Sequence, residues 1–306
     1  MSWFLIALLA NIPWTVGNFI DKLLTERFVH GEGRALVLTL YTSLLSLFVI
    51  PIIWYFNPQV FDLMVLSAGL FVLAGIIEMT GVILYLKALL EDDTSTVVPF
   101  FQLVPIFSLV LGYVFLGEVL TSHQMLAGLG IVLGGTILSL EISEEKRLRF
   151  KGSLILLMVV SSFCYASFDA LFKYGALRED FWTGVFWQHI GIVLVGIYIF
   201  VFHRGCGAGF IKNIRSREPM VFSLNMLNEA LYIGGMMLFA YAVLLAPIAL
   251  VATTNAYHPV FAFVLGLLLT LIFPRYIKEK ITTAHLLHKT FAIAIIVISS
   301  IFLVLG

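Results

Sequence analysis

Three carboxylic acids, Glu78, Asp169 and Glu229, stand inside long apolar stretches of this 306-residue chain, far from any polar connection. In hydrocarbon each charge costs roughly 2.5 to 3.5 kcal/mol on insertion scales. A retained acid there argues for work: holding a solute, carrying a proton, or hydrogen-bonding a neighbouring helix as a neutral group. Asn225 and Glu229 are four apart and share a helix face, with Asn228 beside them. Asp169 precedes Lys173 by one turn, so an internal ion pair is the plain alternative to a solute site. Asn18, Gln102 ahead of Pro105, and Asn255 and His258 ahead of Pro259 complete the polar set. Pro259 frees a carbonyl one turn earlier, which Thr254 or Asn255 can help satisfy. His258 suits helix packing at least as well as proton transfer. Tyr85, Tyr232, Tyr241, Trp14 and Tyr165 could form an aromatic wall, or serve as packing and belt residues. The candidate solute- and proton-binding residues are Glu78, Glu229, Asp169, Asn18, Asn228, Gln102, Asn255, His258, Tyr85 and Tyr241.

Other chemistries find no support. Glu91-Asp92-Asp93 has the look of an acidic metal-diphosphate motif, but such sites need a second carboxylate cluster and none occurs. It reads as a solvated turn in which Asp93 or Thr94 caps the next helix. There is no glycine-rich nucleotide loop, H-E-x-x-H or serine elbow. Cys164 falls in an apolar stretch and Cys206 in a polar loop, so neither a disulfide nor a thiolate metal site is expected. No catalytic residue, metal or cofactor is expected, and no enzyme. All nine arginines lie in loops or at the ends of apolar stretches. A carrier of dianionic phosphate esters would need buried arginine forks, so a neutral, zwitterionic or cationic solute fits better.

The elements that must position these groups are membrane helices. The chain is 61% hydrophobic and only 12% charged, with a mean hydropathy of +1.05. Soluble domains carry about 25% charged residues, so soluble enzymes, nucleic-acid binders and disordered scaffolds are excluded. Residues 35–61, 94–117 and 230–274 hold no Asp, Glu, Lys or Arg. A helix crosses the bilayer with about 20 apolar residues. Ten spans are expected, near 3–23, 35–56, 62–89, 94–117, 121–140, 153–177, 182–202, 219–246, 248–273 and 290–306. Breaks fall at Asn57-Pro58, Glu91-Asp92-Asp93, Gly117-Glu118, Ala246-Pro247 and Pro274-Arg275, with polar connections at 141–152, 203–218 and 274–289. Lys289 can snorkel at the start of the short last span. Without a basic leader or a cleavage site, the first span reads as a retained helix. Gly130-x3-Gly134, with Gly128 and Gly135, gives the fifth span a small-residue face. Packing within the fold is its default use and a homodimer the alternative.

The two halves repeat. Trp14-x3-Asn18-x3-Lys22 matches Tyr165-x3-Asp169-x3-Lys173 at an offset of 151 residues, Glu78 matches Glu229 at 151, and Pro105-x6-Gly112 matches Pro259-x6-Gly266 at 154. Five spans per half is odd, so the halves must insert in opposite orientations, as in many secondary transporters. The expected organisation is a five-helix repeat at 1–140, a polar linker at 141–152, and a second five-helix repeat at 153–306. The expected class is an all-α integral membrane protein of ten transmembrane helices in two inverted five-helix repeats. Spans one, three, four, six, eight and nine should line a central cavity, with the fifth and tenth peripheral.

Residues 85–140, YLKALLEDDTSTVVPFFQLVPIFSLVLGYVFLGEVLTSHQMLAGLGIVLGGTILSL, resemble the EamA type of the drug/metabolite transporter superfamily. They share its order of small-residue helix end, polar turn, proline-kinked helix, Leu-Gly-Glu and glycine-rich helix. Residues 241–273 repeat this more loosely, with Phe273-Pro274 in place of Leu-Gly-Glu. The resemblance implies ten helices in two inverted repeats and transport of small metabolites. Charge bears on orientation: sixteen Lys and Arg flank one set of alternate loops and two flank the other. The positive-inside rule then puts both termini outside, whereas the resemblance implies cytoplasmic termini.

The expected function is secondary transport of a small organic solute by alternating access, with protons as a plausible coupling ion. A lipid-linked sugar or amine flippase of the same fold is one alternative, and a non-transporting membrane scaffold another. The expected partners are a small-molecule solute and the lipid bilayer of the cell membrane, with no nucleic acid.

Overall fold

The computed structural model of the chain describes residues 2–27, 33–91, 97–139, 152–215, 219–272 and 283–305. Among these every regular element is helical. The first half contains α1 (Ser2–Arg27), α2 (Arg34–Phe56), α3 (Val65–Glu91), α4 (Leu103–Leu111) and α5 (Ser122–Ser139). The second contains α6 (Gly152–Ala176), α7 (Phe181–Phe202), α8 (Arg204–Arg215), α9 (Pro219–Leu245), α10 (Ile248–Thr253), α11 (His258–Ile272) and α12 (Thr283–Leu305). Nine helical stretches among the described residues are long and apolar enough to cross a membrane. The α5 helix, which opens on Ser-His-Gln, is not among them. Leu129, Leu133, Ile298 and Ile301 stand outward and exposed, as a lipid-facing surface requires.

Two expectations need correction. The connection at 203–218, read as polar coil, holds the short helix α8. It stays because Phe210 is buried against Tyr41 of α2, with ring centroids 4.9 Å apart. The last helix begins at Thr283, ahead of the apolar run that starts at 290. Lys289 lies within it with its ammonium 4.5 Å from the Phe263 ring centre, a cation–π contact. The linker at 141–152 (except Gly152), the Asp92-Asp93-Thr94 turn and the Pro274-Arg275 break lie outside the described residues.

Prolines shape the two irregular spans. Pro99 opens a 3-10 turn at Val98–Gln102 that leads into α4. Pro247 caps α10 after α9 ends at Leu245, which divides the long uncharged stretch, and a 3-10 turn at Thr254–Tyr257 precedes α11. Carbonyls near these irregular turns still find donors: Thr253 and Thr254 donate to the Leu250 and Val251 oxygens, each at 2.7 Å. Such repair is what a dry interior demands.

Packing joins the halves. Helix α1 lies along α9, and α3 along both α6 and α7. The α3–α7 crossing is close because each helix presents a glycine. A Cβ on Gly75 would stand 2.1 Å from the Gln188 carbonyl oxygen, and one on Gly191 would stand 2.2 Å from that of Val72. The glycine face of α5 is used in the same way, with Gly134 against Ile296 and Gly130 against Ser299 of α12.

Candidate functional site

A cavity of about 190 Å³ lies among these helices. Its wall takes Asn11, Trp14 and Asn18 from α1, Leu38 and Thr42 from α2, and Val82, Tyr85 and Leu86 from α3. Phe101, Gln102 and Val104 come from the α4 region, and Tyr165, Phe168 and Asp169 from α6. Asn228, Glu229, Tyr232, Met236 and Phe239 come from α9, and Asn255, His258 and Pro259 from the α10–α11 bend. Among the described residues neither α5 nor α12 contributes. Helix α2, which sequence pattern had left out of the lining, contributes two side chains.

Eight of the ten candidate residues therefore share one cavity. Asn18 and His258 are linked across it, Nδ2 to Nε2 at 2.6 Å. Gln102, Asn228 and Glu229 are buried. Tyr85 packs on Phe101, with centroids 5.0 Å apart, and Phe101 on Tyr165 at 5.8 Å.

Glu78 stands one layer behind the wall. It is fully buried, and its two carboxyl oxygens are both used: Gln188 Nε2 donates to Oε2 at 2.8 Å and the Tyr232 hydroxyl donates to Oε1 at 2.9 Å. Tyr232 lines the cavity, so Glu78 meets the cavity through that hydroxyl. Trp14 Nε1 donates to the Tyr232 carbonyl at 3.2 Å. Gln188 was missed from sequence, although an adjacent Gln188-His189 pair inside an apolar span was visible. Tyr241 lies outside the cavity, 46% exposed, with its ring against Phe181 at 5.5 Å.

Asp169 and Lys173 are not paired with one another. Lys173, 6% exposed, reaches Glu118 Oε1 at 2.6 Å and donates to the Ala246 carbonyl at 2.6 Å. Glu118 Oε2 accepts from the backbone N–H of Ile248 at 2.8 Å, which caps α10. This arrangement follows from a turn. After α4, residues Gly112–Leu116 form a wide helical turn, and Gly117 adopts a left-handed conformation (φ 66°) that suits glycine. Glu118 is thereby folded back against Gly112, where a Cβ would stand 2.7 Å from its carboxylate. The Leu-Gly-Glu sequence read as punctuation is thus a buried ion-pair site. It joins the first half to α6 and to the α9–α10 break, at the end of the helices opposite to the cavity-lining residues Leu38 and Leu86.

The site has the character of a solute pocket: apolar and aromatic for most of its wall, with a few converging polar groups. No group of His, Cys, Asp and Glu among the described residues could hold a metal ion. Residues 1–140 match the EamA-like transporter family. The resemblance read from residues 85–140 therefore stands, consistent with a protein of the drug/metabolite transporter superfamily. The EamA-like part spans α1 to α5 and includes Asn18, Glu78, Gln102 and Glu118. It points to a multi-pass membrane transporter rather than an enzyme, with a small-molecule solute and membrane lipid as its surroundings. No curated protein matches the chain.

Proposed function

We propose that this protein is a secondary transporter of a small organic solute, working by alternating access between two inverted five-helix repeats at 1–140 and 153–306. The observation that carries the reading is a single cavity walled by polar side chains from both halves, with a buried acid held behind one wall. No nucleotide-binding motif occurs in the sequence, so a gradient supplies the energy.

Proton coupling falls to Glu78. As a carboxylate it accepts from Gln188 and from Tyr232. Once protonated, it can donate to the Tyr232 oxygen, and the tyrosine proton must then turn elsewhere, toward a solute in the cavity that Tyr232 lines. A hydroxyl can make this reversal because it both donates and accepts. A proton on Glu78 and a solute in the cavity would in this way sense one another across one side chain.

The test is solute flux into proteoliposomes under an imposed pH gradient, with a thermal-shift screen to find solutes. A solute at 100 times its dissociation constant stabilises the fold by about 2.7 kcal/mol. Gradient-driven uptake that collapses with a protonophore is expected. Saturable binding without flux in either direction would reject the reading.

A further inference from the structure

We propose that Asp169 anchors the ammonium group of an organic amine in the cavity, which makes a monocationic amine the solute class. The inference rests on the transporter reading of that cavity. Asp169 is 4% exposed and lines the wall. Among the described residues its carboxyl has neither a hydrogen-bond partner nor an ion-pair partner. The cation that helical spacing offers, Lys173, is spent on Glu118 and on the Ala246 carbonyl. The donors near Glu78 are likewise spent, since Gln188 and Tyr232 serve its two oxygens. An acid nine-tenths buried with no donor is costly, and a bound ammonium would remove that cost with charge-assisted hydrogen bonds.

The rest of the wall suits the same ligand. Trp14, Tyr85, Phe101, Phe168 and Phe239 line the same cavity as Asp169, and aromatic faces attract cations. No lysine or arginine occurs among the described lining residues, so a carboxylate or phosphate on the solute would meet no described counter-charge there. A volume of about 190 Å³ equals about six waters at their liquid share, which suits an amine with a single ring or a short chain.

The experiment uses the intact chain in detergent and two probes of similar shape, benzylammonium and benzyl alcohol. The cation should raise the melting temperature saturably, and the alcohol should not. Asp169→Asn should weaken benzylammonium binding by about tenfold or more without lowering the ligand-free melting temperature, and Asp169→Glu should restore part of it. If Asp169→Asn fails to fold, Asp169→Glu and the wild-type preference for cation over alcohol still decide. Equal stabilisation by the alcohol, or benzylammonium binding unchanged in Asp169→Asn, overturns the anchor. Proteoliposome flux separates this from the broader reading. Neutral solutes that bind and cross while the cation does neither remove the amine anchor and leave transport standing. A cation that binds through Asp169 but never crosses keeps the anchor and removes transport.

Discussion

Asp169 and Lys173 are one turn apart on α6, yet they belong to regions of opposite character. Around Lys173 every charge is answered: Glu118, the Ala246 carbonyl and the Ile248 N–H complete a closed set spanning three segments. Asp169 lines a cavity that is largely aromatic and apolar, and its carboxyl has no hydrogen-bond or ion-pair partner among the described residues. A saturated, largely buried ion pair is a structural joint, whereas the amine proposal gives the unanswered acid beside the cavity to a bound ammonium. The two halves differ in the same sense. The first carries Leu-Gly-Glu after its fourth span, and the second has Phe273-Pro274 at the corresponding place.

The largest effect should come from breaking the joint. Lys173→Met leaves the largely buried Glu118 with the Ile248 N–H but no cation and should cost up to about 3–5 kcal/mol of stability, measured as unfolding in mixed micelles. Adding Glu118→Gln should recover much of that loss, because the remaining groups are neutral. If Lys173→Met is instead as stable as the wild type while solute binding fails, the roles of the two regions are exchanged.

Much of this was legible in the residues, and the failures have a common cause. The helical class, the breaks at Asn57-Pro58 and Ala246-Pro247, and the EamA resemblance follow from hydropathy and from proline and glycine chemistry, which act locally. The Asn18–Asp169 and Glu78–Glu229 spacings say nothing about which layer of the fold a side chain occupies. Glu78 therefore read as a wall residue, although Tyr232 stands in front of it. Lys173 stands as an alternative partner for Asp169 in the sequence because spacing on one helix is visible there. Its actual partner, Glu118, comes from a turn 55 residues earlier that only tertiary packing brings near.

A second perturbation tests the support of Glu78. Gly75→Val puts side-chain atoms where the Gln188 carbonyl now lies, since even a Cβ would stand 2.1 Å away. Overpacking of this kind costs about 1–3 kcal/mol. Because the same residue donates to Glu78 through its side chain, the variant should also alter the pH dependence of transport. Gly69→Val, on the same helix with nothing within 4 Å of its would-be Cβ, is the control and should do neither.

A milder change acts on coupling alone. Glu78→Gln can still accept from Gln188 and can donate to the Tyr232 oxygen, so stability should shift by about 1 kcal/mol or less. Gradient-driven uptake should be lost while solute exchange at equal pH persists. Unaltered pH dependence in this variant would move the coupling role to Glu229 or Asp169.

The smallest effect is expected at Tyr241, and it sharpens the boundary of the cavity. Tyr232 and Tyr241 are nine residues apart on α9, which at 3.6 residues per turn places them on opposite faces. One ring lines the cavity with its hydroxyl on Glu78, while the other is 46% exposed beside Phe181. Tyr241→Leu removes a ring edge from a half-exposed contact and should stay within about 0.5 kcal/mol of wild type, with solute flux and its pH dependence intact. Tyr232→Phe deletes one hydroxyl and should lose the pH response that Tyr241→Leu keeps. Equal losses from the two would mean that the face of α9 turned toward Phe181 also carries solute, and the single-cavity reading would have to be abandoned.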